Sequence, residues 1–286
     1  MLDLDAYDFI DIHYHADPDL YLRRWDALDA GRIYQDCHGV VVLKSHLGAT
    51  SIQATLAQKL GLPVLPSLVL NHNTGGINYR VVMHALSEYQ PLIPARMIVD
   101  FPTITGRKIK SRLARTLAHP QLAPNSLQPE TVFNEHNQLK KEVIDVLKMA
   151  KDYPIVLSTG HASADEVYAL VNACIQYNVG ALLLNQPANP LTNLHTAQLR
   201  ELAQNDFIWI EQTALTCLLG YQDKDEVHEI LRSLPRVLYS SDLGQTEQMD
   251  IKPWVNYSIN LFAQWQLSEQ RIKELMHLNA QTLLKL

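Results

Sequence analysis

The chain has 286 residues, of which 47% are hydrophobic, so it is long enough for one large domain or two small ones with a substantial core. Its formal net charge of −6 argues against binding to nucleic acid or to an anionic membrane. The three cysteines have no metal-binding or redox spacing, and the acidic N-terminus lacks signal-peptide features. No apolar run approaches the roughly 20 residues of a membrane span. We therefore expect a cytoplasmic protein.

Short apolar, β-branched runs alternate along the chain with longer amphipathic segments, which is the pattern of parallel βα units. The predicted strands are Phe9–His15, Gly39–Lys44, Pro63–Leu70, Ala95–Phe101, Pro154–Ser158, Ala181–Leu184, Phe207–Ile210 and Val237–Ser240. Helix ends are also visible: Ser163 and Glu166 match a capping box. Eight strands, each followed by a helix, predict an α/β fold of the (β/α)8 TIM-barrel type, which typically takes about 250 residues.

The chain has no Gly/Ser linker and no break in composition, so we expect one domain over residues 1–286. The segment 101–143 separates the fourth and fifth strands by far more than one helix, and we interpret it as an insertion over the barrel mouth, such as a lid. It carries a basic run suited to an anionic substrate, although a solvated helix face is the simpler explanation. The run consists of Arg107, Lys108, Lys110, Arg112 and Arg115.

The first predicted strand ends in two histidines, His13 and His15. Successive side chains of a strand alternate between its faces, so these two point the same way. Two imidazoles at the carboxyl end of a strand can chelate one divalent metal ion. The alternative is one buried, hydrogen-bonded histidine and one surface histidine.

Further polar residues follow other strands, and in a TIM barrel all of these ends meet at one face. Closure of the barrel places Asp242, after the eighth strand, beside His13 and His15, and it places His161, after the fifth strand, across the mouth from them. The predicted metal ligands are therefore three nitrogens and one oxygen. This set suits Zn²⁺, with Fe²⁺ and Mn²⁺ as alternatives.

These motifs resemble the amidohydrolase superfamily of metal-dependent hydrolases. The likeness rests on His-Tyr-His at 13–15, Thr-Gly-His at 159–161, Ser-Ser-Asp at 240–242 and the closing segment 278–284. The chain departs from the family pattern after the fourth and sixth strands. Asp100 stands where the family often has lysine or glutamate, and Asn185 stands where it has histidine, while a lysine, Lys44, ends the second strand. These departures favour one metal ion over two.

The resemblance implies hydrolysis of an amide, ester or lactone bond in a small anionic molecule by metal-activated water. Asp242 would be both a metal ligand and the catalytic general base. Lys44 is the second predicted catalytic residue, and with His46 it would polarise the scissile carbonyl or neutralise an anionic substrate. As a carbamate, Lys44 would instead bind a second metal ion. The predicted substrate-binding residues are His46, Asn185 and Glu211.

Other functions remain open on the same barrel. A decarboxylase, a deaminase or an isomerase is possible within the same fold, and the mononuclear ligand set also suits a decarboxylase. An adenosine-deaminase-like role is disfavoured because the chain lacks a His-Ala-Gly-Glu segment. A non-catalytic metal-binding or ligand-binding barrel is the alternative from a different class. We expect a small-molecule partner and neither nucleic acid nor membrane, and a homo-oligomer stays open.

Overall fold

The computed structural model describes residues 3–107, 109–122 and 127–286. Its strands are β1 (Phe9–His15), β2 (Gly39–Lys44), β3 (Val64–Leu65), β4 (Ser67–Val69), β5 (Met97–Asp100), β6 (Ile155–Ser158), β7 (Leu182–Leu184), β8 (Ile208–Thr213) and β9 (Val237–Ser240). The third predicted strand is thus divided into β3 and β4 at Pro66, which has no N–H for the strand ladder. Strands β5 to β9 correspond to the fourth to eighth predicted strands.

The strands pair in parallel and in sequence order, β1 to β3 in one run and β4 to β9 in another. The first and last strands meet just beyond β9. There the N–H of His15 donates to the carbonyl of Leu243 at 2.9 Å, and the N–H of Asp242 donates to the carbonyl of His13 at 2.8 Å. This topology confirms the predicted TIM-barrel class.

Helices follow the strands around the barrel. Their bounds are α1 (Ala27–Asp36), α2 (Ser51–Lys59), α3 (Tyr79–Glu88), α4 (Lys141–Met149), α5 (Ala164–Tyr177), α6 (Thr196–Leu202), α7 (Ala214–Leu218), α8 (Lys224–Ser233), α9 (Ile251–Gln264), α10 (Glu269–Lys273) and α11 (Asn279–Leu284). The capping box of Ser163 and Glu166 at the start of α5 is confirmed. A π-helical turn, Glu274–Leu278, joins α10 to α11, so the predicted C-terminal helix is not continuous. No described helix is long and apolar enough to cross a membrane.

Strand β1 contains a β-bulge immediately before the site. Asp11 pairs with Val41, and Tyr14 pairs with Leu43, so β1 contains one more residue than β2 between these two pairs. The extra residue reverses the alternation of side chains. Ile12 can therefore join the apolar cluster inside the barrel, while His13 and His15 still face the barrel mouth.

The barrel interior has an apolar layer and a polar layer above it. The apolar layer includes Val42, Ile98, Val156, Leu183, Trp209 and Leu238. Two residues further along each of these strands is a buried polar side chain on the same face: Lys44, Asp100, Ser158, Asn185, Glu211 and Ser240. This polar layer lies beneath the site, and of its side chains Lys44, together with His13, reaches the cavity.

The long connection between β5 and α4 crosses the carboxyl end of the barrel. Its described residues form bridges and turns but no helix, so the solvated helix face considered above is not observed. Its backbone pairs with the loop after β1, where the N–H of Leu22 donates to the carbonyl of Thr116 at 2.9 Å. The Arg112 side chain donates to the carbonyls of Leu219 and Gly220. Lys108 of the basic run lies outside the described residues.

Candidate active site

Three donor atoms converge at the carboxyl end of the barrel. His13 Nε2 lies 3.3 Å from His15 Nε2. Asp242 Oδ1 lies 3.2 Å from His13 Nε2 and 3.4 Å from His15 Nε2. Ligands of a tetrahedral zinc ion, each about 2.0–2.1 Å from the metal, lie about 3.3–3.4 Å apart. The triangle of donor atoms therefore has the size of one face of such a site.

The tautomer of His13 is set by Glu211. The carboxylate Oε1 lies 2.9 Å from His13 Nδ1, and since a carboxylate only accepts, Nδ1 carries a proton and Nε2 is the nitrogen left to bind either a second proton or a metal ion. Burial and the Lys44 ammonium lower the pKa of His13, but the carboxylates of Asp242 and Glu211 outweigh them and raise it to about 9. The three converging side chains thus attract positive charge, whether a proton on Nε2 or a metal ion.

Asp19 forms a second group of donors with His15 and His46. Asp19 Oδ2 lies 3.2 Å from His15 Nδ1, but the two atoms are not aligned for a hydrogen bond. The same oxygen accepts from Arg23 Nε at 2.8 Å, and Oδ1 accepts from the N–H of His46 at 2.7 Å. Because a guanidinium already neutralises this carboxylate, we interpret Asp19 as a positioning anion and not as a metal ligand.

His46 is oriented by Asp19 and packs on the metal-binding candidates. Its Nδ1 donates to Asp19 Oδ2 at 3.3 Å, and its ring stacks on that of His15 with the centroids 4.9 Å apart. Burial lowers the pKa of His46 to about 4 despite the Asp19 carboxylate. The ring is therefore neutral at pH 7, with its lone pair on Nε2.

His161 lines the same cavity as His13 and His15, but its nitrogens are not among the donor atoms that lie within 4.8 Å of one another. Its Nδ1 donates to the carbonyl of Thr103 at 2.8 Å. Burial and the neighbouring His46 lower the pKa of His161 to about 3. A neutral ring with an unprotonated Nε2 is the form that binds metals. The role of His161 as a ligand stays a prediction.

Lys44 is held inside the polar layer by residues of two other strands. Its Nζ donates to Asn185 Oδ1 at 2.8 Å and to Asp100 Oδ1 at 3.1 Å, and it lies 3.5 Å from His13 Nδ1. Burial lowers the pKa of Lys44, but the carboxylates of Asp100 and Glu211 raise it above its usual value. The side chain is thus an ammonium ion. Carbamylation requires a neutral amine, so this environment disfavours it.

Asn185 and Glu211 are engaged by other protein groups beneath the cavity. Asn185 binds Lys44 and the carbonyl of Gly160, and Glu211 binds His13 and Ser240. Both are buried beneath the cavity and do not line it. The bonded polar atoms of both side chains lie within the polar layer, and their predicted role in substrate binding stays a prediction.

Asp242 is positioned by a residue that the sequence did not single out, Gln186. Its Nε2 donates to Asp242 Oδ2 at 2.7 Å, and its Oε1 accepts from Thr216 Oγ1 at 3.3 Å. Asp242 and Gln186 both have positive φ angles, of 54° and 42°. Non-glycine residues in this region cluster at functional sites, where the surrounding structure holds them in place. The neighbouring histidines outweigh burial and hold the pKa of Asp242 well below its usual range.

A cavity of about 580 Å³ lies above these side chains. Its floor includes His13, His15, Lys44 and Asp242, and its roof comes from the connection after β5. Arg115 lines the cavity with its guanidinium 5.1 Å from the ring centre of Tyr21. Within the described part of the chain, Arg115 has no carboxylate partner, whereas Arg107 pairs with Glu166. The size and polarity suit a small molecule.

The residues present fit a divalent metal ion. Two imidazole nitrogens and one carboxylate oxygen lie within 3.4 Å of one another, and this arrangement is stable only with a cation among them, either a proton on His13 Nε2 or a metal ion. Three protein ligands with further positions open to solvent or substrate are typical of a catalytic metal site.

Sequence reasoning missed Asp19, Arg23 and Gln186. Asp19 lies four residues after His15 in a loop rich in acidic residues, and Gln186 directly follows Asn185. Polar residues just beyond a strand end were the available signal. The sequence alone does not distinguish them from ordinary loop residues, because their contacts depend on the three-dimensional structure.

The sequence matches a family of unknown function, DUF6282, over residues 8–211. No curated protein matches it. Among solved structures, an uncharacterised TIM-barrel protein from Bordetella bronchiseptica is similar with a TM-score of 0.55 at 12% identity, over 99% of this chain and 98% of that one.

Two further structures are provisionally named as 2-pyrone-4,6-dicarboxylic acid hydrolases. The Pseudomonas putida protein has a TM-score of 0.54 at 14% identity, over 96% of this chain and 97% of its own. The Acinetobacter baumannii protein, with citric acid bound, has a TM-score of 0.51 at 14% identity, over 96% of this chain and 98% of its own. At such identities the likeness establishes the fold, and at that level it agrees with the resemblance seen in the motifs.

Proposed function

The chain belongs to the DUF6282 family, whose function is unknown, and from its site we propose that it is a metal-dependent hydrolase of small carboxylate-bearing esters or lactones. The convergence of His13, His15 and Asp242 within 3.4 Å carries the proposal. These three residues would hold the ion, with His161 as a fourth candidate. When bound, a zinc ion supplies a Lewis acid and lowers the pKa of a bound water to about 7.

Asp242 is the proposed general base. Its Oδ1 faces the histidines, and its Oδ2 accepts one hydrogen bond from Gln186, which leaves a second lone pair on Oδ2 for a proton. The carboxylate is ionised at neutral pH because its pKa lies well below the usual range. It would take a proton from the attacking water and deliver it to the leaving oxygen.

The anionic part of the substrate is proposed to bind at the cavity wall. Arg107 and Arg112 of the basic run are engaged by protein groups, whereas the Arg115 guanidinium faces the cavity beside Tyr21. Arginine binds carboxylates in a bidentate manner. The neutral His46, held by Asp19, is a second contact for the substrate. The two named structural neighbours, whose substrate by name is a lactone with two carboxylates, support this class.

The proposal is tested by measuring hydrolysis of 2-pyrone-4,6-dicarboxylate and of its dimethyl ester by the zinc-loaded protein. We expect the dicarboxylate to be opened and the dimethyl ester to react at least about tenfold more slowly, since one lost charged contact is worth about 1.4 kcal/mol or more. Asp242→Asn and His13→Ala should abolish turnover.

The outcomes separate the alternatives. Turnover that survives complete metal removal contradicts the metal dependence but not the hydrolase. Release of CO₂ from the substrate identifies a decarboxylase. Binding without turnover across a panel of lactones, esters and amides identifies a ligand-binding barrel.

A further inference from the structure

We propose that the Lys44 ammonium takes the place and supplies the charge of a second metal ion, so that the site holds a single metal ion. The inference rests on the proposed metal dependence and concerns the number of ions that the chain can hold. Lys44 acts here as a positioning residue beneath the reacting atoms.

The environment of Lys44 Nζ resembles that of a bound cation. Its acceptors are a carboxylate oxygen of Asp100 and an amide oxygen of Asn185, at 3.1 and 2.8 Å, and the protonated Nδ1 of His13 lies 3.5 Å away. The two acceptors lie at the ends of β5 and β7 and converge on one point in the polar layer. Carboxylate and amide oxygens of this kind also bind divalent metals.

The carboxylates around Lys44 are not fully satisfied by the protein. Asp100 Oδ2 and Glu211 Oε2 are buried and have no hydrogen-bond partner among the described residues. Two buried carboxylates with free oxygens are costly without a nearby positive charge. The ammonium supplies that charge while leaving these oxygens without a direct contact.

Removal of the ammonium therefore leaves an empty space lined by oxygen atoms that can bind a metal ion. The side chain of Lys44 would no longer fill the space, and the Asp100 and Asn185 oxygens that it contacts would lose their counter-ion, as would the nearby Glu211 carboxylate. A divalent ion restores the charge and can use the free carboxylate oxygens as ligands. The same charge balance excludes a second ion from the intact protein.

The test is the number of metal ions bound at saturation. Refolded or natively purified chains are dialysed against buffered Zn²⁺, and metal per chain is measured by mass spectrometry. We expect one ion in the wild type, two in Lys44→Ala, and one again in Lys44→Ala/Asp100→Asn, which removes a carboxylate from this empty space. With Mn²⁺, Lys44→Ala should show the exchange-coupled electron paramagnetic resonance signal of two neighbouring ions.

Each result has a distinct meaning. Two ions in the wild type overturn the inference without any variant, and this holds even where Lys44→Ala fails to fold. One ion in both the wild type and a folded Lys44→Ala overturns it as well, with the proposed function intact. No ion in the wild type contradicts the proposed metal dependence itself.

Discussion

At the scale of single residues, the site is governed by side chains that a substrate would not touch. Glu211 lies behind His13, yet its carboxylate decides which ring nitrogen carries the proton. Gln186 orients Asp242, because it donates a hydrogen bond to one carboxylate oxygen, Oδ2, and leaves the other, Oδ1, to face the histidines. Such partners commonly orient metal ligands and raise their basicity.

The first prediction concerns Glu211→Gln. The amide still has an oxygen to accept from His13 Nδ1, but the negative charge is lost, so the lone pair on Nε2 becomes less basic. Outer partners of this kind typically change metal affinity by about 10–100-fold. We expect a weakening of that size in the Zn²⁺ dissociation constant, measured by competition with a chromogenic chelator.

Glu226→Gln is the matched control, since Glu226 pairs with His195 at 3.3 Å at the protein surface. It should leave the dissociation constant unchanged. Equal affinities in the wild type and Glu211→Gln would show that the Glu211–His13 contact does not support a metal ligand.

Residue patterns predicted the converging donors but not their supports. His13, His15 and Asp242 are recognisable because they combine metal-binding chemistry with strand ends that closure brings together. Asp19 and Gln186 carry no such signal, because their roles depend on hydrogen bonds between loops distant in sequence. Asp100 and Asn185 appeared as departures from the family pattern, and the structure relates both to Lys44.

At the scale of elements, the bulge in β1 and the turn after β9 place the donors. Simple alternation along β1 would put Ile10 and Ile12 on the face opposite His13 and His15, and no local sequence signal marks the extra residue. The barrel order was predictable because each strand is an apolar run followed by an amphipathic segment. The division of the third strand at Pro66 was not predicted, although proline is disfavoured within a sheet.

The second prediction concerns Gly244, just beyond Asp242. Its φ is 116°, and a Cβ there would lie 1.8 Å from the carbonyl oxygen of His15. Gly244→Ala should therefore force the chain after β9 away from β1 and separate Asp242 from the histidines. We expect a loss of at least about 1–3 kcal/mol in the free energy of unfolding, the cost of backbone strain alone, together with weaker Zn²⁺ binding. Urea denaturation and chelator competition measure the two effects.

Gly61→Ala isolates the contribution of the clash. Gly61 also has a positive φ, of 79°, but a Cβ there would meet nothing within 4 Å. This variant should lose stability through strain only and bind Zn²⁺ like the wild type. If both variants lose the same stability and retain the metal, the contact between Gly244 and His15 does not position the site.

At the scale of the whole molecule, the polar layer of the barrel interior provides the candidate site but lowers the stability of the fold. Apolar side chains fill the lower part of the barrel, whereas buried carboxylates, Lys44 and histidines occupy the level above. Burying charged groups costs several kcal/mol per ion unless they are paired. A ligand that neutralises the donors of this layer should therefore stabilise the whole fold.

The third prediction follows from this linkage between metal binding and folding. A ligand that binds only the folded chain at about 100 times its dissociation constant adds about 2.7 kcal/mol, which for a chain of 286 residues corresponds to a rise in Tm on the order of 4–5 °C. We expect this shift on adding Zn²⁺ to metal-free protein and its reversal by a chelator, measured by circular dichroism.

His13→Ala should lose most of the shift because it removes one of three converging donors. His84→Ala should keep the shift, since this ring is exposed on α3 and pairs only with Glu88 among the described residues. Equal shifts in the two variants would mean that zinc stabilises the protein from somewhere other than the end of β1.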